Sequence, residues 1–389
     1  MKILFVGFPY SIHAARWTSL LADAGWDLHL FPSQPSNALH EDFSGITFWP
    51  VPGTSFANRS DVKVGILKGA NVAQTVRLSN VPAHVARLAQ VMDLERFDVV
   101  HSMEFQHAGY LTCDAIDQIN SPPPVWIATN YGADIAFFGQ DPGHEQKIRR
   151  MLDRCDYYSS ECRRDLELAR KLGLKGDVFT ILPNSGGIDL AEAECFRQAG
   201  RTSGRRVIAL KGYQHFAGRA MTALRSLELC GTRLDGYEVK VFSPFPEVVA
   251  EVDRLKTAGR FRISCLPEQV SHQEILSLHG SARISIAVSV ADGISTALLE
   301  AMAMGSFPIQ TCTACADEWI VDGESGFIVP PDNPAEIAEK IVRALDDDAL
   351  VDRAAKINGQ TIRERANAST IKDTVVAAYR ALPISSPSR

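Results

Sequence analysis

KILFVGFPYSIHAARWTSLLADAGWDLHLF, residues 2–31, reads as strand, turn, helix, strand. KILFVG (2–7) is a continuous apolar run, which marks a strand buried on both faces and not one with a wet side. Ala14, Trp17, Leu20 and Leu21 then recur at helical spacing, and Ala24-Gly25 stops the helix. DLHLF (27–31) is the next strand. Two strands joined through a helix form a βαβ unit, so the expected class is α/β with a parallel sheet covered on both sides.

The same alternation runs outward along the chain. A helical stretch at 81–92 and strands at 98–102, 125–129 and 177–183 complete one doubly wound, Rossmann-like domain over 1–195. Residues 196–206, rich in Gly, Arg, Ser and Thr without apolar period, read as a linker. A second α/β series fills 207–368, from VIALKGY through YEVKVFS, FRISCL, ISIAVSV, FPIQT and GFIVP. The piece 369–389 holds one last amphipathic helix, IKDTVVAAYRAL, and a tail. In such sheets ligands sit outside the carboxyl ends of the strands, so the chemistry is to be sought there.

Composition narrows the partners. The 389 residues are 46% hydrophobic and 22% charged with a net charge of −6, ordinary for a globular protein of two domains. No basic stripe is present, which argues against nucleic acid. No run of about 18 apolar residues occurs, and the N-terminal run is too short for a signal-peptide core. The expectation is a cytoplasmic protein with at most peripheral membrane contact. Cys312 and Cys315 make a CxxC without a second pair, and Asp346-Asp347-Asp348 follow a helix and not a buried strand. Neither calls for a metal, and none is expected.

VSVADGISTALLEAMAMG (288–305) carries the strongest chemical signal. A buried strand ends near Val290, a loop holds Asp292 and Gly293, and Ser295 and Thr296 are N-cap candidates for a helix closed by Gly305. A helix start directly after a strand offers free amides and partial positive charge to a phosphate. Thr296 and Glu300, four apart, share one helix face. Asp292, the amides of Ile294, Ser295 and Thr296, and Glu300 therefore suit sugar hydroxyls, phosphate and ribose in turn.

This segment resembles the donor-site signature of the retaining glycosyltransferases of family 4, where an acidic residue precedes a glutamate by eight positions and Ala-Met-Ala-x-Gly follows. Asp292 stands where the family usually has glutamate; Glu300 matches. The resemblance implies the GT-B fold: two Rossmann-like domains facing a central cleft, with a C-terminal helix able to cross back to the first. By the same resemblance, KGYQHFAGR (211–219) is similar to the diphosphate-binding turn, with Lys211 and Arg219 as the clamp, and Val270 precedes the loop that meets the nucleobase. In the first half SIHAARW (11–17) is similar to the family's Ser-Ile-His-x-x-Arg-Trp opening, which places Ser11 and His13 toward the acceptor. TNYGADI (129–135) resembles its Thr-x-His-Gly-Ser-Asp stretch, with Tyr131 in place of histidine and Asp134 retained as a candidate proton acceptor. His101 and His107 are further candidates for the acceptor side.

The expected activity is transfer of a hexosyl or N-acetylhexosaminyl group, with retention and without metal or cofactor, from a UDP- or GDP-sugar to a glycan or lipid-linked hydroxyl in bacterial surface polysaccharide assembly. A sugar-nucleotide epimerase on the same fold and a non-catalytic sugar-nucleotide-binding protein are the alternatives.

Overall fold

A computed structural model describes residues 1–51, 53–54, 59–66, 82–268 and 270–384. Val81, where the helical stretch was expected to open, and the tail from residue 385 lie outside them. The chain divides into two compact units, one of Met1–Gly186 with the chain from Ile371 onward, the other of Gly187–Thr370.

The first unit is built on an all-parallel sheet of β1 (Lys2–Gly7), β2 (Asp27–Pro32), β3 (Thr47–Phe48), β4 (Lys63–Val64), β5 (Val99–Met103), β6 (Val125–Thr129), β7 (Tyr157–Ser160) and β8 (Asp177–Ile181). Their order is β4-β3-β2-β1-β5-β6-β7-β8, so the chain steps outward from β1 and then returns beside it at β5. Alternate residues of β1 feed two cores: Leu4 and Val6 join Val100 and Trp126, while Ile3 and Phe5 join Trp17 and Tyr379. That double burial is why the strand reads as an unbroken apolar run.

The second unit repeats the plan with β9 (Val207–Lys211), β10 (Glu238–Phe242), β11 (Arg262–Cys265), β12 (Ala282–Ala287), β13 (Phe307–Thr311) and β14 (Phe327–Val329). All pairs are parallel, in the order β11-β10-β9-β12-β13-β14.

Two expectations about organisation are corrected. The passage between units falls at Gly186–Gly187, earlier than the expected boundary at 195. Residues 196–206 are no linker: Thr202 and Arg205 are buried in the second unit, and Arg205 Nη1 donates to the carbonyls of Ala282 (3.1 Å) and Met304 (3.0 Å). One nitrogen of this buried guanidinium meets two backbone carbonyls, and composition does not reveal such burial. The triple aspartate ends a helix, as expected, and also starts another: Asp347 accepts from the Leu350 amide at 2.8 Å and begins an eighteen-residue helix, Asp348–Arg365, that the sequence reading lacked.

Among the described residues, His101 in the first unit and His279 in the second have essentially no exposed surface. Burial lowers their pKa values to about 3 and about 4, respectively, from an ordinary 6.5. A histidine held neutral by the fold takes its proton only on unfolding. The stability it contributes is complete above the unfolded value and is lost as pH falls toward the folded one. Going from pH 6.5 to about pH 4.5 should therefore cost each unit roughly 2–3 kcal/mol, read from urea unfolding at successive pH values. His101→Gln should flatten that slope in the first unit; an unchanged slope would refute the assignment.

Candidate functional site

In the second unit the strand order reverses between β9 and β12, and the crevice at such a point is where an open α/β sheet binds its ligand. Both sequence motifs arrive there. Lys211 is the last residue of β9, and the loop 288–295 follows β12 into the helix Thr296–Ala303. The motifs also touch: Lys211 Nζ donates to Ser295 Oγ at 3.4 Å, and Gly218 bridges antiparallel to Ser289. Ser295 is the N-cap and its side chain makes no capping bond; the Leu298 amide meets the Ser295 carbonyl at 2.9 Å, and the Thr296 and Ala297 amides ahead of it meet no acceptor among the described residues. Gly293 and Ile294 are buried beneath this turn, Thr296 is half-buried, and Asp292 accepts from the Gly293 amide at 2.9 Å.

The loop after β9 is a fixed structure. His215 Nδ1 accepts from the Ala217 amide at 3.1 Å. Arg219 Nη1 donates to the carbonyls of His215, Phe216 and Gly218 at 3.1, 3.2 and 2.7 Å. One nitrogen of the expected phosphate clamp thus closes its own loop, and the rest of the guanidinium fork has no partner among the described residues. Tyr213 lies under Lys211, whose Nζ is 4.4 Å from the ring centroid. Burial lowers the His215 pKa; the Lys211 and Arg219 charges add to that, and Asp292 opposes it, so all four groups share one field. Sequence reading had missed His215 and Tyr213. A Cβ on Gly218 would stand 2.4 Å from the Tyr213 carbonyl oxygen. Gly218→Ala should therefore destabilise this unit by about 1–3 kcal/mol in thermal unfolding, and an unshifted midpoint would mean that the loop gives way freely.

Glu300, one turn into the helix, is buried, and its partners are the second thing the sequence hid. His272 Nε2 donates to Glu300 Oε1 at 2.8 Å, and His279 Nε2 lies 3.9 Å from Oε2. His272 opens the helix His272–Ser281, which Ser271 and Glu274 begin with a capping box, and half-buried Val270 immediately precedes that cap. The expected nucleobase loop and the expected ribose carboxylate are thereby joined. His272→Ala and Glu300→Gln should each weaken binding of a nucleotide at this site. A coupling of about 0.5–3 kcal/mol is expected in a double-mutant cycle by calorimetry; strictly additive losses would deny that the pair acts as one.

The first unit's candidates separate into site and scaffold. His101 is not an acceptor-side residue: it lies in the core, its Nδ1 accepting from Tyr379 Oη and its Nε2 donating to Thr129 Oγ1, both at 2.5 Å. Ser11 caps the helix Ile12–Ser19 by accepting from the Ala14 amide at 3.3 Å. Asp134 is buried, and its Oδ2 accepts from the amides of Tyr131 (2.8 Å) and Phe105 (3.0 Å), so this carboxylate ties loops together where a proton acceptor had been expected. Burial and the neighbouring Glu104 push its pKa well above the carboxylate range. Tyr131 meets His13 edge-on at 6.0 Å, and burial raises its phenol pKa. His107 is exposed, and Glu104 raises its pKa.

Comparisons with known proteins bear on the fold and on the class of protein. Residues 246–347 match the family model described as glycosyl transferases group 1, and residues 2–160 match that of glycosyl transferase 4-like proteins. A comparison with curated proteins gave no match. Among solved structures, the chain resembles sucrose-phosphate synthase from Thermosynechococcus elongatus at TM-score 0.71 and 14% identity, covering 98% of each chain. It resembles Anabaena HepE in complex with UDP-glucose at TM-score 0.69 and 14% identity, covering 98% of this chain and 100% of that one. A UDP-forming trehalose-phosphate synthase from Burkholderia xenovorans gives 0.66 and 15%, covering 99% and 100%. No described helix is long and apolar enough to cross a membrane. Two glycosyl transferase family models match separate stretches, and the chain as a whole has the GT-B fold of two Rossmann-like domains.

Proposed function

We propose that the chain transfers a sugar from a nucleotide diphosphate sugar, UDP-linked in preference to GDP-linked, to a hydroxyl of a glycan or lipid-linked acceptor, with retention, in bacterial surface polysaccharide assembly. The observation that carries this reading is the meeting of Lys211 with the Ser295 helix start at the second sheet's reversal point. A diphosphate leaving group gains negative charge as its bond to the sugar breaks, and a cation beside a helix start opposes that charge at the place where it develops. Arg219 adds a second cation, so the site's own residues supply the positive charge and no metal enters the proposal. Glu300 with His272 takes the ribose, the turn at Val270 takes the base, and Asp292 takes sugar hydroxyls. Preference for UDP is supported by the UDP-glucose complex of the HepE structure.

The test is thermal shift with a panel of UDP- and GDP-sugars, followed by product analysis with an acceptor glycan. A saturating donor at a hundred times its dissociation constant should add about 2.7 kcal/mol, and the new linkage should keep the donor's anomeric configuration. Failure of every sugar nucleotide to stabilise the protein would overturn the reading. Stabilisation without hydrolysis or transfer would identify a binding protein instead.

A further inference from the structure

Behind Glu300 the second unit holds a line of polar groups that the donor chemistry leaves unused. His279, near the end of the helix His272–Ser281, is 1% exposed, and its ring meets Phe242 edge-on at 5.3 Å. Its Nδ1 is 2.8 Å from Ser285 Oγ on β12, and that oxygen is 2.8 Å from Ser306 Oγ, just ahead of β13. Its Nε2 faces Glu300 Oε2 at 3.9 Å, beyond hydrogen-bond reach, and has no other partner among the described residues. A buried polar atom left this way costs free energy and calls for a reason.

Proton placement decides the direction of the line. Burial lowers the His279 pKa to about 4, so the neutral ring carries one proton on one nitrogen. With that proton on Nδ1, the ring would donate to Ser285 and Ser285 to Ser306, and the Ser306 hydroxyl would have no acceptor among the described residues. The Nε2 lone pair would also point at a carboxylate oxygen. With the proton on Nε2 both faults vanish. Ser306 then donates to Ser285, Ser285 donates to Nδ1, and Nε2–H points at Glu300. The remaining defect is the 3.9 Å gap, and the ring has slack to close it. A cavity of about 10 Å³, the room of about one water, adjoins His279, Ser285, Ala297 and Leu298.

We propose that His279 is a positioning residue for Glu300: Ser306 and Ser285 hold it in the Nε2–H form, and that N–H closes onto Glu300 Oε2 when a nucleotide's ribose engages the carboxylate. This rests on the donor reading above and adds to it the residues that aim its ribose carboxylate. His272 holds Oε1 and His279 holds Oε2, so the carboxylate is fixed in its plane and stays charged although buried. Once a ligand shuts out water, the charge attracts the N–H more strongly, which drives the closing. The charged or titratable groups that face the His279 ring are Glu300, Lys211 and His272.

The test uses NMR of the full chain with its histidine nitrogens isotopically labelled, and UDP and GDP as probes. The signals that vanish in His279→Gln identify His279. In the ligand-free wild type they should show a bare Nδ1 and a protonated Nε2, and the Nε2 proton should move downfield on saturation with the nucleotide that binds. Ser285→Ala should mix the two tautomers and weaken nucleotide binding about threefold, and His279→Leu should weaken it about tenfold. His279→Gln, whose amide N–H can stand in for Nε2–H, should recover most of that loss. A carboxylate with one donor fewer takes a proton sooner, so between about pH 8 and pH 5 the affinity of His279→Leu should fall away at a higher pH than that of the wild type. Loss of packing alone would lower affinity equally at every pH. A proton on Nδ1 in the ligand-free wild type overturns the proposal, and so does a wild-type affinity and pH profile in His279→Leu. If neither nucleotide binds a wild type whose spectrum shows Nε2–H, the donor reading fails, and the closing step with it.

Discussion

Lys211→Ala is expected to lower kcat/KM for sugar transfer by about 10²–10³-fold while leaving the second unit's thermal midpoint nearly unchanged. Lys211 ends β9 half-buried, so its stem is packed and its ammonium is delivered to one place, 3.4 Å from Ser295 Oγ and over the Tyr213 ring. Under the proposed transfer, the charge on the leaving diphosphate grows during bond cleavage, so a cation fixed there would stabilise the transition state more than the bound donor. The loss should therefore fall mainly on kcat, with a smaller rise in the donor's KM. Arginine at 211 should rescue poorly: its planar fork is wider than an ammonium and must fit between Tyr213 and the helix start. Steady-state kinetics with the sugar nucleotide that stabilises the protein, paired with its thermal shift, separate the two contributions. Unaltered kcat in Lys211→Ala would remove this residue from the catalytic machinery.

What the sequence shows and what it hides follow from how each feature is encoded. The parallel sheets were legible because β1, β5, β12 and β13 are buried on both faces, and such strands write continuous apolar runs. The same continuity misled the reading of His101: it lies inside a run in which every residue is buried, so it belongs to the core with its neighbours. The 288–305 segment was legible because strand, loop and helix start follow one another locally. The Glu300–His272 pair was not, since the partners are separated by a helix and a strand, and a histidine inside a capping box looks like any first-turn residue. Glu104 could not have been found by turn chemistry, which seeks glycine where φ is positive. The helix Asp348–Arg365 was masked by Gly359 and by many polar residues; its buried stripe of Leu350, Val351, Ala354, Ala355, Asn358 and Ile362 includes an asparagine that donates to the Ser325 carbonyl at 2.7 Å.

The largest stability effect should come from the far end of the chain. Tyr379, on the helix Ala368–Arg380, has no exposed surface. Its hydroxyl accepts from Trp17 Nε1 at 3.2 Å and donates to His101 Nδ1, and its ring packs against Phe179 at 4.9 Å and Trp26 at 5.7 Å. Tyr379→Ala removes an aromatic ring from the core, about 3–5 kcal/mol, and strands the buried indole N–H of Trp17, about 1–3 kcal/mol more. A total near 5 kcal/mol in a unit of this size should lower its midpoint by roughly 10–15 °C. Tyr379→Phe keeps the ring and loses the hydroxyl, so its cost should be only the second part. Unfolding followed by calorimetry should show the first unit's transition moving down while the second unit's stays, because Ile371 onward belongs to the first alone. If the phenylalanine variant falls as far as the alanine variant, the hydroxyl network and not the ring is what holds the last helix; if neither falls, the helix is dispensable to the fold it closes.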